Sequence, residues 1–448
     1  MKIALILAPT FPRDYPLIGL ACLSAVLRQA GHETKIFDFA SSLDFPHSGG
    51  ESRWNEPSFV QEYDKDNPEF FGHMCAQLSA YAPDIAAFSV WQCNAPASRL
   101  LCSMLKKRLP GVFCVFGGPE PGFRPETFFA PDSSVDFVVR GEGENAVLEL
   151  AARLSHGKLD FPPPPGVMFK SGGRVVDGGA ARQIENLDSL PFPDFEGFPL
   201  HRFASKLLPV SFNRGCPHRC AFCNTAASWR GCRHRAPEKV YEELLQDNRR
   251  YGAENFFFCC PAVNAGSARL SRLCGLLLDG HKQFTWNSSA FFSDALTSEL
   301  IAKMGRCGAR LLDFGLESGS PRVLRSMGKP FSPETAARNI RDCHAAGIAV
   351  FLNIVIGFPG EQPEDLELTK KFLLENRQYI ARIGPPSECV AARGSLLAEQ
   401  PQRYGLDPVP HKELSCWESA DGSSTHAKRR QTLVEFTAWA RAKQLPLA

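Results

Sequence analysis

The sequence predicts an α/β protein: a Rossmann-like, doubly wound parallel sheet, then a partial (β/α)6 parallel barrel and a short, mainly helical C-terminal segment. Three observations predict it. Short apolar runs alternate with helical patterns along most of the chain, as parallel strands joined by crossover helices require. The alternation breaks once, in a Pro- and Gly-rich stretch at residues 157–204, so two sheets are expected. After the break six strand-like runs recur, too few for a closed eight-stranded barrel. A chain of 448 residues has room for two or three such cores.

In chain order, residues 2–8 (K-I-A-L-I-L-A) read as a buried first strand. The run stops at Pro9 with no small-residue cleavage site after it, so it is not read as a signal peptide. A helix over 17–30 closes on Gly31, and a second strand covers 33–39. Residues 44–72 are rich in Pro, Gly, Asp and Glu and read as an insertion. Strands follow at 83–91, at 112–116 (V-F-C-V-F) and at 135–139, with a helix at 96–109. The first domain is placed at 1–156 and a linker with a short hairpin at 157–204. The barrel is placed at 205–392, with strands at 207–212, 255–259, 283–287, 310–314, 350–356 and 388–391. Helices are expected at 237–251, 268–278 and 333–346. The C-terminal segment, 393–448, is polar and then helical from 428 to 442.

Composition is globular, with 44% hydrophobic and 22% charged residues. Fifty basic against 48 acidic side chains, a net charge of +2, give no reason to expect nucleic acid. No run approaches the length of a transmembrane helix, so no membrane partner is expected. Many of the sixteen cysteines sit in apolar contexts, which points to core thiols and a reducing cytoplasm.

Residues 214–223 read R-G-C-P-H-R-C-A-F-C, placing Cys216, Cys220 and Cys223 in a C-x3-C-x2-C pattern directly after the first barrel strand. That is where a parallel barrel carries its chemistry. A structural zinc would want a fourth ligand, for which His218 and Cys232 are candidates, but no second C-x2-C follows. Three thiolates on a [4Fe–4S] cluster instead leave one iron with open coordination.

With this loop the sequence resembles the radical S-adenosylmethionine (SAM) enzymes, in which the open iron chelates SAM and electron transfer yields a 5′-deoxyadenosyl radical. The resemblance extends through W-R-G-C-R-H-R at 229–235, F-G-L-E-S-G-S at 314–320 with Met327 and Lys329 after it, I-V-I-G-F-P-G-E at 354–361 and G-S-L-L-A-E-Q-P-Q-R-Y-G-L at 394–406. G-G-P at 117–119 and R-G-E-G-E at 140–144 resemble the branch with an N-terminal cobalamin-binding-like domain. The resemblance implies that Cys216, Cys220 and Cys223 ligate the cluster. It implies SAM contacts from Glu317, Ser318, Asn353, Gly357 and Phe222, with Gly360 as a second close-approach glycine. Against these stand a plain turn at E-S-G-S, an ordinary strand-to-helix turn at G-F-P-G-E and a core amide at Asn353. Arg233 and Arg235 face either a carboxylate, a phosphate or solvent. Where relatives carry an acidic residue after the second barrel strand, this chain has F-F-F-C-C-P-A-V-N, leaving Cys259, Cys260 and Asn264 as catalytic candidates.

Cobalamin would sit at the strand ends of the first domain, near Ser89, Gly117 and Gly118. The D-x-H-x-x-G motif is absent, and neither H-E-T at 32–34 nor His47 or His73 replaces it. Cobalamin-dependent C-methylation of a small metabolite in specialised biosynthesis, such as antibiotic biosynthesis, is the favoured expectation. A cobalamin-independent diol dehydratase, epimerase or cyclase is the alternative, and an iron–sulfur or zinc regulatory module is a third. The enzyme readings require an electron donor such as flavodoxin, ferredoxin or a reductase.

Overall fold

The computed structural model describes residues 1–9, 15–41, 51–157, 162–203, 205–408 and 414–447. It divides into two compact units, Met1–Pro209 and Val210–Ala448.

In the first unit, strands β1 (Lys2–Leu7), β2 (Glu33–Asp38), β3 (Ile85–Ser89), β4 (Phe113–Gly117), β5 (Phe137–Val139), β6 (Val167–Ser171) and β7 (Arg174–Asp177) form one sheet in the order β2-β1-β3-β4-β5-β6-β7. The first five are parallel. Order 2-1-3-4-5 is doubly wound, with its topological switch between β1 and β3. β1 is an unbroken apolar run because both its faces are covered, and Ile3 to Leu7 are fully buried. The core beneath the helices gathers Phe71, Phe88, Phe116 and Phe128.

Two expectations change here. The stretch read as an insertion carries helices Pro57–Asp66 and Pro68–Tyr81, and its part over 44–50, with His47, lies outside the described residues. Pro57 and Pro68, read as breakers, stand at helix starts, where a missing N–H costs nothing. The hairpin expected in the linker does form, as β6 and β7, but it adds antiparallel strands to the first sheet through β5. Residues 157–204 therefore fall within the first compact unit rather than between two.

In the second unit the strands are β8 (Leu208–Val210, at the division between units), β9 (Asn213–Arg214), β10 (Arg233–His234), β11 (Asn255–Phe258), β12 (Thr285–Ala290), β13 (Ala309–Glu317), β14 (Ala349–Ile356), β15 (Arg382–Ile383) and β16 (Ser387–Glu388). The main sheet runs β15-β14-β13-β12-β11-β8, with β16 also paired to β14. The sixth strand is thus two short pieces, because Pro385 and Pro386 interrupt the ladder. Along β13, Leu312, Phe314 and Leu316 are fully buried, while Leu311, Asp313 and Gly315 between them are half-buried. β14 alternates in the same way, burying Val350, Leu352, Ile354 and Ile356. The buried set packs on the outer helices and the alternate set forms the inner face. Helix Ser298–Arg306 and helix Pro333–Ala345 are that outer layer, each started by a hydroxyl cap, Thr297 and Ser332. No helix among the described residues is long and apolar enough to cross a membrane.

Candidate active site

The cysteine loop is built by pinning both of its ends. β9 and β10 pair antiparallel, Arg214 opposite Arg233 and Asn213 opposite His234, which ties together the two ends of residues 215–232. Gly215 sits at φ +86, and a Cβ there would lie 1.9 Å from the Gly231 carbonyl oxygen. Only glycine fits that crossing. Further along, the Ala221 N–H donates to the Met327 carbonyl at 2.8 Å, and the Leu397 N–H donates to the Ala221 carbonyl at 2.9 Å. The peptide between Cys220 and Cys223 is thereby held from both sides, and Ala221 is buried with Val323, Met327, Phe358 and Leu397. Phe222 packs against the same cluster.

The three thiols are half-buried and share one electrostatic field. Burial pushes the Cys216 and Cys220 thiols up, nearby thiols of the trio push further, and the Lys329 ammonium pulls both down. Among the described residues no three His, Cys, Asp or Glu side chains close on a point fit for one metal ion. A polynuclear cluster spreads its thiolates around a larger body, and three thiols facing one buried cation suit its negative charge. The His218 ring stands edge-on to Phe291 with centroids 4.4 Å apart, and its buried Nε2 has no hydrogen-bond partner.

Lys329 is the cation of this site. Its Nζ lies 2.9 Å from Glu317 Oε1 and donates to the Gly315 carbonyl at 3.1 Å. It also sits 5.5 Å from the Phe222 ring centroid. Burial works against its charge, yet Glu317 and then Cys220 hold its pKa above the ordinary value. Glu317 reaches it from a left-handed backbone, φ +64, at a register shift between β13 and β14. Gly315 leaves the room, since a Cβ there would meet Glu317 Oε1 at 2.2 Å. At the loop's far end Arg235 faces a carboxylate, Glu243, with Nη1 and Oε2 2.6 Å apart.

Several expected residues are used otherwise. Ser318 is fully buried, and its hydroxyl bonds Thr369 Oγ1 at 3.2 Å and accepts from the Ser320 N–H. It belongs to a turn-and-helix network, not to an open site. Both ends of the Asn264 amide are spent on the Phe291 backbone, at 2.8 and 3.1 Å, so it clamps the strand end that carries the ring against His218. Cys260 is buried beside Ser288, and burial lifts its thiol to about 12, which leaves it protonated and inert. Cys259 continues β11 by donating its N–H to Val210. At Gly357 the absent Cβ makes room for the Arg429 stem, 2.7 Å away, rather than for a ligand. Gly360 also holds a positive φ, +79, with open space beside it. Asn353 does point from the inner face, donating from Nδ2 to Asp313 Oδ1 at 2.6 Å. Asp313 was missed, although the alternation D-x-G-x-E over 313–317 already set it on one side of its strand.

In the first unit, the C-terminal strand ends carry Ser89, Gly117 and Gly118. Gly118, at φ +104, is required by its own chain, because a Cβ would meet the Val90 carbonyl oxygen at 2.8 Å. Asn94 braces the same edge by bonding the Ser89 carbonyl and the Trp91 N–H. Trp91 is left 38% exposed, offering an apolar surface at the end where doubly wound sheets bind ligands. His73 lies instead on the helix Pro68–Tyr81.

Residues 210–373 match the radical SAM superfamily, and residues 4–151 match the B12 binding domain. This is a radical SAM protein with an N-terminal B12-binding domain. The radical SAM domain implies a [4Fe–4S] cluster and SAM, and the B12-binding domain supports cobalamin. The radical SAM protein is 28% identical over 434 residues to an uncharacterized methyltransferase of Pyrococcus horikoshii, covering 91% of this chain and 87% of that one. It is 30% identical over 210 residues to the cobalamin-dependent radical SAM methyltransferase TokK of Streptomyces tokunonensis, covering 44% of this chain and 30% of TokK. In fold it is similar to the radical SAM methyltransferase TsrM from Kitasatospora setae, whose structure holds cobalamin and a [4Fe–4S] cluster. That match has a TM-score of 0.72 at 16% identity, over 96% of this chain and 81% of TsrM.

Proposed function

We propose that this protein is a cobalamin-dependent radical SAM methyltransferase that methylates carbon in a small metabolite of specialised biosynthesis. The observation that carries the reading is the pinned three-thiol loop facing Lys329, in a chain whose first domain is of the B12-binding type. The methyltransferases among its relatives support it. When bound, the cluster, SAM and cobalamin supply one-electron cleavage of a sulfonium, hydrogen abstraction and a transferable methyl group.

The chain's own residues do the positioning. Cys216, Cys220 and Cys223 would hold the cluster, whose chemistry with SAM is reductive cleavage of the sulfonium. Lys329 neutralises part of the charge that three thiolates bring to a half-buried loop. Glu317, held by Lys329 at the strand end, offers its remaining carboxylate capacity to the amino or ribose groups of SAM. Phe222 fixes the third cysteine by packing its ring into the core below. Asn264, through Phe291, keeps the His218 ring over the loop. Electrons come from a flavodoxin, ferredoxin or dedicated reductase, and the thiol-rich composition supports a reducing cytoplasmic setting.

The test is anaerobic reconstitution of the full chain, followed by incubation with methyl-deuterated SAM, a reductant and pools of small metabolites. The reading expects a product carrying the labelled methyl group only when cobalamin is supplied. A product formed without the label, or one indifferent to cobalamin, would overturn it.

A further inference from the structure

A polar row stands on the inner face of the barrel. Ser289 on β12 stands opposite Asp313 on β13 in the parallel register, so their side chains share a face. Asn353 on β14 reaches the same carboxylate, Nδ2 to Oδ1 at 2.6 Å. Asn353 pairs with Gly315 in the register, so the three polar groups run obliquely across three adjacent strands.

The row is incomplete as it stands. Asn353 spends its donor on Asp313, leaving its Oδ1 as an acceptor, with Gly384 kept bare beside it because a Cβ there would come within 3.1 Å. Asp313 has no ion pair among the described residues, and the Glu317 carboxylate adds to the burial that raises its pKa. The nearby ammonium of Lys329 is spent on Glu317 and Gly315. A carboxylate set into a wall without a counter-ion is costly unless a ligand brings one. Burial lifts its pKa only to about 6, so the group is ionised at neutral pH. The row thus presents acceptors and one negative charge, and what complements that is a compact cation with several donors.

We propose that Ser289, Asp313 and Asn353 form the seat for the primary ammonium group of the substrate, so that the enzyme takes amine-bearing small metabolites. This rests on the reading above that the protein methylates a small metabolite, and it adds that the inner face of the barrel receives that metabolite. Asp313 would supply the charge, Asn353 Oδ1 and Ser289 Oγ further acceptors, and no covalent step is involved.

The test is equilibrium binding without turnover, on the full-length reconstituted protein. The probes are matched pairs of small cyclic amino alcohols and their N-acetyl derivatives, followed by saturation-transfer NMR and calorimetry. The free amines are expected to bind at least about tenfold more tightly than their N-acetyl partners. Asp313→Asn is expected to erase that preference, whereas Asn353→Asp, which keeps a carboxylate in the row, is expected to retain it. Equal binding of amine and N-acetyl members, or a preference that survives in a folded Asp313→Asn protein, would overturn the proposal. Because binding is read alone, an amine preference without any methylated product would sink the methyltransferase reading and leave the seat standing.

Discussion

Lys329 Nζ lies 2.9 Å from Glu317 Oε1, and both side chains are nearly buried, at 11% and 9% exposure. One ammonium thus serves a strained strand end, the Phe222 ring and the field of three thiols. Removing it strands a buried carboxylate and takes away the ammonium that pulls the Cys216 and Cys220 thiols down. Lys329→Met is expected to cost about 3–5 kcal/mol of stability. It is also expected to shift the cluster's reduction potential to a more negative value, because a positive charge nearby favours the reduced cluster. Potentiometry separates this from simple destabilisation, since Lys329→Arg should recover the potential more than the stability.

The cysteine loop gives a sharper contrast. Each of Cys216→Ala, Cys220→Ala and Cys223→Ala is expected to lose the bound iron and all formation of 5′-deoxyadenosine. Cys232→Ala should keep both. Iron and sulfide analysis after anaerobic reconstitution checks it, and iron retained in Cys220→Ala with SAM cleavage intact would remove the basis of the site.

Gly215→Ala tests the pinning rather than the ligands. The added Cβ would sit 1.9 Å from the Gly231 carbonyl at a backbone φ of +86. All three thiols remain in this variant, yet the crossing must open and the loop must lose its register. Cluster occupancy is expected to fall severalfold, with the fold of the first unit untouched by circular dichroism.

A pH effect should come from helix Pro237–Tyr251. Burial first, then the Glu243 carboxylate, push Asp247 up to about 8, with Arg250 and Arg235 pulling it down. The folded protein therefore holds a proton there that the unfolded chain releases at its ordinary value of 3.8. Between those two values the folded state binds more protons, so this contribution to stability falls as pH rises. Asp247→Asn should remove that slope and melt higher than the parent at pH 8, by several degrees. A parallel pH dependence in parent and variant would contradict the assignment.

The sequence made the order of the main elements legible because strands such as β1, β3, β13 and β14 bury at least one face and their crossover helices have their own period. It failed where proline carried two meanings. Pro57 and Pro68 begin helices, while Pro385 and Pro386 split the last strand. Cys216, Cys220 and Cys223 could be found from spacing alone, since one loop supplies them. Ser318 and Gly357 looked like ligand contacts, and Asn264 like a catalytic group, because polar residues and glycines at strand ends often are. Only the fold reveals that Thr369, Phe291 and Arg429 already occupy them. Asp313 illustrates the opposite case, for its partner Asn353 lies forty residues away and no local pattern joins them.

In the proposed reaction SAM serves twice, as radical source and as methyl donor. The most direct measurement is the ratio of S-adenosylhomocysteine to 5′-deoxyadenosine formed in the presence of substrate by the anaerobically reconstituted, cobalamin-loaded full chain. The two are expected in equal amounts, with neither formed by Cys220→Ala. Sustained 5′-deoxyadenosine with no S-adenosylhomocysteine would contradict it.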